Sequence, residues 1–236
     1  MYEVEGQPAR RVRPHVAHAV AQAQHVLLDF DGVMFDVETA LGRWGRENAV
    51  REYLDSRPYF PRPIVLGAFG VDHMLGYIAE NKPDYADESE KALSRRELDS
   101  ALTAVPAPGL RQLLAACADT KRKVGVISDL SEDAVAATVR AHSLELHVGT
   151  ISARRGLDLA VFDTGHAAER AADQLGAPVS SCLFVGGRWA RIRAAQEAGA
   201  VGLGCECGRE PRKYLATPQV PVVQNHATLI QALLAA

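Results

Sequence analysis

The spacing of apolar residues changes twice along the chain and divides the sequence into three parts. In the first part, apolar positions recur at helical spacing over residues 14–23, and a short apolar run follows at 25–29. This pattern predicts a helix and then a buried strand. The second part, from 37 to about 104, has only helical patterns, with a proline-rich break at 57–63. The helices predicted in this part span 40–54 and 89–102.

In the third part, after residue 104, short apolar runs alternate with helical patterns. Predicted strands span 124–127, 148–151, 182–185, 200–203 and 220–223, and predicted helices span 110–118, 132–142, 161–175, 190–198 and 227–234. Such alternation is typical of parallel strands joined by helical crossovers. The fold class that we predict is therefore α/β, a Rossmann-like doubly wound parallel sheet with an inserted all-helical segment.

Composition narrows the classes of partner. Hydrophobic residues make up 47% of the chain and charged residues 23%, which is typical of globular proteins. The formal net charge of −3 gives no electrostatic reason to expect nucleic acid or an anionic membrane as a partner. No apolar signal region follows the first arginines, and no apolar run reaches the roughly 18 residues of a membrane span. We expect a cytoplasmic protein.

The four cysteines give little indication of a metal site. Cys117 and Cys182 lie in apolar runs and are expected to be small core residues. Cys205 and Cys207 are separated by one residue, and no second pair accompanies them. This spacing indicates zinc only weakly, and an exposed turn is the interpretation that we favour.

Polar residues follow several of the predicted strands, where open parallel sheets bind their ligands. The positions are Asp29 and Asp31, Ser128 and Asp129, 152–155, and 186–191. Two carboxylates at the end of a buried strand are costly to desolvate unless a metal, a basic side chain or a reaction accompanies them. The alternative is a capped turn, in which both carboxylates accept backbone hydrogen bonds.

The run DFDGV that begins at Asp29 resembles the first motif of the haloacid dehalogenase-like (HAD) hydrolase superfamily. The apolar run that ends in Ser128 and Asp129 is similar to its second motif. The resemblance extends from about His25 to the C-terminus and points to the subgroup with a helical cap after the first motif. It implies a core domain over 1–36 and 105–236 and a cap domain over 37–104.

The resemblance also implies roles for these residues. Asp29 would attack phosphorus and form an aspartyl-phosphate, and Asp31 would be the general acid and then the base. Gly32, Ser128 and Asp129 would lie against the phosphoryl group, since Gly32 allows the tight turn that aims backbone N–H groups at it. A magnesium ion, if present, would be held by Asp29 and by the backbone carbonyl of Asp31.

Two further motifs depart from the family pattern. Where the third motif has a lysine, this chain has Arg154 and Arg155, either of which could supply the positive charge or lie in a solvated loop. Where the fourth motif has two acids, Gly187 and Arg191 stand. Magnesium binding is therefore doubtful. Arg191 would either replace the metal charge or lie on a solvated helix face with its neighbours Arg188 and Arg193.

Three functions stay open on these residues. The first is a phosphatase or phosphotransferase that acts on a small phosphorylated metabolite. The second is an inactive relative that binds a phosphorylated ligand or a protein partner, including another copy of the chain in a homo-oligomer. The third is a hydrolase that attacks carbon without a metal. The cap residues that could contact the substrate are Arg43, Trp44, Arg46 and His73, and each could equally be an ordinary surface or core residue.

Overall fold

The computed structural model describes residues 12–57, 70–207, 210–217 and 220–236. The proline-rich break at 58–63 lies outside these residues, as do Arg10 and Arg11. The strands are His25–Asp29 (β1), Phe35–Asp36 (β2), Val105–Pro106 (β3), Val124–Ser131 (β4), Thr150–Arg154 (β5), Cys182–Gly186 (β6), Val201–Cys205 (β7) and Val222–Val223 (β8). The helices are Pro14–Ala21 (α1), Val37–Leu41 (α2), Gly45–Asp55 (α3), Val71–Asn81 (α4), Pro83–Thr103 (α5), Leu110–Asp119 (α6), Glu132–Ala141 (α7), Thr164–Leu175 (α8), Trp189–Glu197 (α9), Arg212–Leu215 (α10) and His226–Leu234 (α11).

A six-stranded parallel sheet forms the core, in the order β5-β4-β1-β6-β7-β8. Alternate residues of β1 face opposite layers, as the pleat of a strand requires. Leu28 packs in a layer that includes α1, α6 and α11, whereas Leu27 packs in a layer that includes α8 and α9. Both faces are buried, which explains the continuous apolar run of β1. The predicted α/β sheet is confirmed.

The register of β1 sets the position of the candidate site. Asp29 lies beside Ile127 of β4, and Leu28 lies beside Val185 of β6. The residues that follow these two partners, Ser128 and Gly186, therefore come to the same edge of the sheet as Asp29. This edge is formed by the carboxyl ends of the strands.

Helices α2 to α5 lie between β1 and β4 in the chain and include a hydrophobic cluster of their own, with Met74, Leu75 and Leu93 among its buried members. The antiparallel pair β2 and β3 joins the two points where the chain enters and leaves this segment. An all-helical segment is thus inserted between β2 and β3, and we refer to it as the cap. In the described part of the chain, no helix combines the length and apolar character that crossing a membrane requires.

The helical segment between β2 and β3 differs from the prediction in two main respects. The helix predicted over 40–54 is two helices, because Gly42 adopts a positive φ of 74° and ends α2. The helix α4 was not predicted, although Val71, Met74, Leu75 and Ile78 have the spacing of a buried helical face. Its closeness to the proline-rich break concealed this pattern.

The predicted turn at Cys205 and Cys207 is present at residues 206–207, but the expectation that it is exposed is wrong. Cys205 is fully buried and Cys207 half-buried, and their sulfurs form a disulfide. Cys117 and Cys182 are buried free thiols, as predicted.

Candidate active site

The first motif forms a tight turn directly after β1. Asp29 ends the strand and is 1% exposed. Gly32 adopts a φ of 87°, a left-handed conformation that a side chain would strain. Asp31 Oδ1 accepts hydrogen bonds from the backbone N–H groups of Val37 (3.0 Å) and Glu38 (3.1 Å). Asp31 therefore accepts backbone hydrogen bonds from the first residues of α2. These are the contacts that the capped-turn alternative predicted for this carboxylate.

Arg191, in the first turn of α9, lies against Asp29. Its Nε donates to Asp29 Oδ2 at 2.8 Å, and its Nη1 is 3.9 Å from Asp129 Oδ1. Its Nη2 is buried and has no hydrogen-bond partner among the described residues. Burial raises the pKa of Asp29 to about 6, although Arg191 opposes the shift. The arginine thus supplies positive charge directly at the first carboxylate.

Arg188 makes the corresponding contact with Asp31. Its Nη2 lies 3.1 Å from Asp31 Oδ2 and also donates to Glu38 Oε2. Burial raises the pKa of Asp31, while Arg188 and the backbone N–H of Glu38 oppose the shift. The Arg188 side chain is 40% exposed, so this pair is the more accessible of the two.

Asp129, at the carboxyl end of β4, is bound by a cap residue. Arg46 of α3 donates from Nη1 to Asp129 Oδ2 at 2.8 Å and from Nη2 to the Asp129 carbonyl oxygen at 2.9 Å. Burial alone would raise the pKa of Asp129, but the nearby Arg46, Arg191 and Arg188 hold it well below its usual range. Arg46, one of the four cap candidates, thus lies inside the site.

Arg154 and Arg155 have opposite environments. Arg154 is 1% exposed and pairs with two acids of α5, Glu90 and Glu97, the latter at 2.5 Å. Glu97 also accepts from Arg46 Nε at 2.9 Å, so it joins the two arginines. Arg155 is mainly exposed and pairs with Glu132. Of the two candidates for the third-motif cation, only Arg154 is connected to the group around Asp29.

The described residues do not fit a magnesium ion. Magnesium requires several oxygen ligands in octahedral geometry, and Gly187 has no side-chain oxygen to offer. Arg191 occupies one side of Asp29, while Asp31 and Asp129 are bound by Arg188 and Arg46. Fixed guanidinium groups therefore contact the carboxylates that would otherwise hold a cation.

The remaining predicted residues surround the site or lie away from it. A cavity of about 150 Å³ is bordered by Asp31, Glu38, Arg43, Arg46, Asp129 and Arg188. Ser128 is buried, and its Oγ accepts the backbone N–H of Leu130 at 3.1 Å. Trp44 and His73 are exposed, and His73 lies 2.9 Å from Asp72. Arg193 is exposed and pairs with Glu197 at 2.7 Å.

Sequence reasoning missed the acids of α5. Glu90 and Glu97 are both buried, and Ser94 lies between them and donates to Glu90 Oε1 at 2.6 Å. Their spacing of four and three residues places all three on one face of the helix. This polar helix face is visible in the sequence. That it is buried becomes clear only from the arginines of other elements that pair with it in the structure.

Comparison with known proteins supports the fold and not a particular activity. No protein-family model matches the sequence, and no curated protein matches it. Among solved structures, CbbY from Rhodobacter sphaeroides in complex with phosphate has 17% identity and a TM-score of 0.64, and the alignment covers 89% of this chain and 99% of that chain. CbbY has also been solved with xylulose-(1,5)bisphosphate.

Two further solved structures match this chain over most of its length. A predicted phosphatase from Clostridium acetobutylicum has 14% identity and a TM-score of 0.65, with 91% of this chain and 99% of that chain covered. A HAD-superfamily hydrolase of subfamily IA from Geobacter sulfurreducens has 17% identity and a TM-score of 0.55, with coverages of 90% and 97%. At these identities the likeness concerns architecture. The chain has the fold of the HAD-like hydrolases, with arginines at the carboxylates of its candidate site.

Proposed function

We propose that this protein binds a small phosphorylated molecule at the carboxyl edge of its sheet without magnesium, and that it has no magnesium-dependent phosphatase activity. The observation that carries the proposal is the position of Arg191. It donates to Asp29 from one nitrogen, and its buried Nη2 has no partner among the described residues. A buried donor without a partner is costly, and a phosphoryl oxygen would satisfy it.

The surrounding charges are compatible with this role. Arg188 borders the cavity and is partly exposed, so it can turn from Glu38 toward an incoming anion. Arginine binds phosphate through two parallel hydrogen bonds, which gives direction as well as charge. The CbbY structures contain phosphate and a sugar bisphosphate, and we therefore expect ligands of this size and charge for the present chain.

A second candidate is slow phosphatase activity that needs no metal. The retention of both aspartates favours it, together with the raised pKa of Asp31, which increases its protonated fraction. Asp29 would form a bond to phosphorus while the ester P–O bond breaks, and Asp31 would protonate the leaving oxygen. Water would then release inorganic phosphate. Asp29 would first have to exchange its contact with Arg191.

The first experiment measures binding. Calorimetry in EDTA should detect inorganic phosphate or a sugar phosphate binding to the wild type, with no gain on adding magnesium. Arg191→Lys keeps the positive charge but loses the paired N–H donors of the guanidinium group. It should weaken binding about tenfold or more. Arg193→Lys, on the exposed face of the same helix, is the matched control and should bind as the wild type does. Binding that requires magnesium would overturn the proposal.

The second experiment separates the two candidates. Phosphate release from a panel of sugar phosphates is followed in EDTA for the wild type and for Asp29→Asn. Release that Asp29→Asn abolishes while binding persists would establish the metal-free phosphatase. Absence of release from the wild type, with binding retained, would establish a binding protein. Release that EDTA abolishes would contradict both.

A further inference from the structure

A second cluster of ligand-type side chains lies away from the arginines. It consists of Cys205, Cys207 and His226, whose sulfur and nitrogen atoms all lie within 4.8 Å of one another. Cys205 ends β7, Cys207 follows in the next turn, and His226 begins α11. Strand and helix therefore bring two sulfurs and one imidazole together from positions 19 to 21 residues apart in the sequence.

His226 is the unusual member of this cluster. Its side chain is fully buried, and neither ring nitrogen makes a hydrogen bond of normal geometry among the described residues. The ring lies beside the backbones of Val33 and Pro108. An imidazole whose nitrogens make no hydrogen bond of normal geometry is available to bind a metal through one of them.

The backbone around the two cysteines is well fixed. The N–H of Cys207 points to Cys205 Sγ at 3.4 Å, and the N–H of Glu206 donates to the Val223 carbonyl oxygen at 3.0 Å. The turn is thus held both by its own sulfur and by β8. Hydrogen bonds to a sulfur stabilise its thiolate form, and a fixed turn keeps both sulfurs on the same side as His226.

We propose that Cys205, Cys207 and His226 form a zinc site when the disulfide is reduced. A dithiol reductant gives two electrons and two protons and becomes a disulfide, whereas a phosphine gives two electrons and takes the oxygen of a water molecule, which supplies the two protons. Either reaction converts the protein disulfide to two thiols, and zinc then displaces the two thiol protons. With zinc bonds of about 2.3 Å to sulfur and 2.0 Å to nitrogen, the ligand atoms of a tetrahedral site lie roughly 3.5 to 3.8 Å apart. After reduction the two sulfurs must move apart from bonding distance to this separation, and rotation of the half-buried Cys207 side chain can provide the movement.

The half-exposed side of Cys207 leaves a fourth position that faces solvent. A water molecule or an added ligand could complete the tetrahedron there, as in zinc sites with three protein ligands. Because His226 lies beside the backbone of Val33, the metal would connect α11 and β7 to the turn that carries Asp31. The expected role is structural, and the argument for this zinc site does not rest on the proposed phosphate site.

The test uses the full chain, reduced with a phosphine under argon, loaded with zinc, desalted and analysed for metal. We expect about one zinc per chain in the wild type, loss of stoichiometric zinc in Cys207→Ser and His226→Gln, and none in the oxidised wild type. Cys182→Ala, which removes another buried thiol, is the matched control and should retain zinc. Cys207→Ser is the least disruptive ligand variant because Cys207 is only half-buried.

Two further readouts separate this site from adventitious binding. Cobalt in place of zinc should give a thiolate charge-transfer band together with the visible bands of tetrahedral coordination, and Cys207→Ser should weaken both. Zinc should raise the melting temperature of the reduced wild type and of Cys182→Ala but not of Cys207→Ser. Substoichiometric zinc in the reduced wild type would overturn the proposal. Equal retention by Cys207→Ser, or a cobalt spectrum without the thiolate band, would do so as well.

Discussion

At the scale of single residues, the candidate site is governed by which cation meets each carboxylate. Asp29 meets Arg191, Asp31 meets Arg188, and Asp129 meets Arg46. Desolvation raises the pKa of Asp29 and of Asp31, whereas for Asp129 the surrounding arginines prevail and lower it. Three chemically identical side chains therefore differ in basicity because the number and distance of the guanidinium groups around them differ.

The raised pKa of Asp29 makes a prediction about stability and pH. Its carboxyl titrates at 3.8 in the unfolded chain and at about 6 in the folded one, so the folded state binds the proton more tightly. Stability contributed by the protonated form should therefore decrease as the pH rises from 3.8 to about 6. As the pH rises across this range, the free energy of unfolding of Asp29→Asn should increase relative to that of the wild type by up to about 3 kcal/mol.

Urea unfolding at a series of pH values measures this difference. Glu145→Gln serves as the control, because Glu145 is an exposed carboxylate. Its stability difference from the wild type should change little over the same interval. If the free energies of unfolding of the wild type and Asp29→Asn changed in parallel with pH, Asp29 would have an ordinary pKa.

At the scale of elements, α5 links the cap to the core. Its Glu97 is fully buried, receives Arg46 of α3 and Arg154 of β5, and accepts the backbone N–H of Ser131 at 2.8 Å. One carboxylate thus contacts two arginines from different parts of the chain. Buried charges of this kind hold elements in one arrangement because separating them leaves charge without a partner.

Removing that carboxylate should be severe. Glu97→Ala leaves Arg46 with Asp129 and Arg154 with Glu90 but removes the buried carboxylate that both arginines contact, and we expect a loss of about 3 to 5 kcal/mol in the free energy of unfolding. Glu88→Ala, which removes a solvent-accessible ion pair with Lys91 on the same helix, should change it little. Chemical denaturation of both variants measures the effect. Similar losses for both would mean that the buried network adds nothing beyond helix propensity.

At the scale of the whole molecule, the sheet could be predicted from the sequence, but the network of ion pairs could not. The run 25–29 could be assigned because an apolar stretch followed by two aspartates and a glycine is a local pattern, and the strand has those bounds. The contact of Arg46 with Asp129 joins residues 83 positions apart, and no local spacing predicts it. The same holds for His226 beside Cys205, which requires the order of β7 and β8 in the sheet.

The fold also predicts how a magnesium site could be rebuilt. Replacing both departures from the family pattern, as Gly187→Asp with Arg191→Asp, would add two oxygen ligands and remove the cation at Asp29. Gly187 does not have the positive φ that would exclude a side chain. We expect the double variant to bind magnesium in calorimetry, whereas Gly187→Asp with Arg193→Asp should not. Equal binding by both variants would locate the metal elsewhere.

The salt links between cap and core have a consequence for ligand exchange. If a ligand enters by movement of the cap away from the sheet, the contacts of Arg46 with Asp129 and of Arg154 with Glu97 must separate on each passage. Added salt screens the separated charges and so lowers this barrier, whereas it weakens long-range attraction of an anion. Exchange limited by cap opening should therefore become faster as ionic strength rises, and exchange limited by diffusion should become slower. The ion pairs would then set the rate of cap opening, and this rate would depend on the salt concentration of the medium.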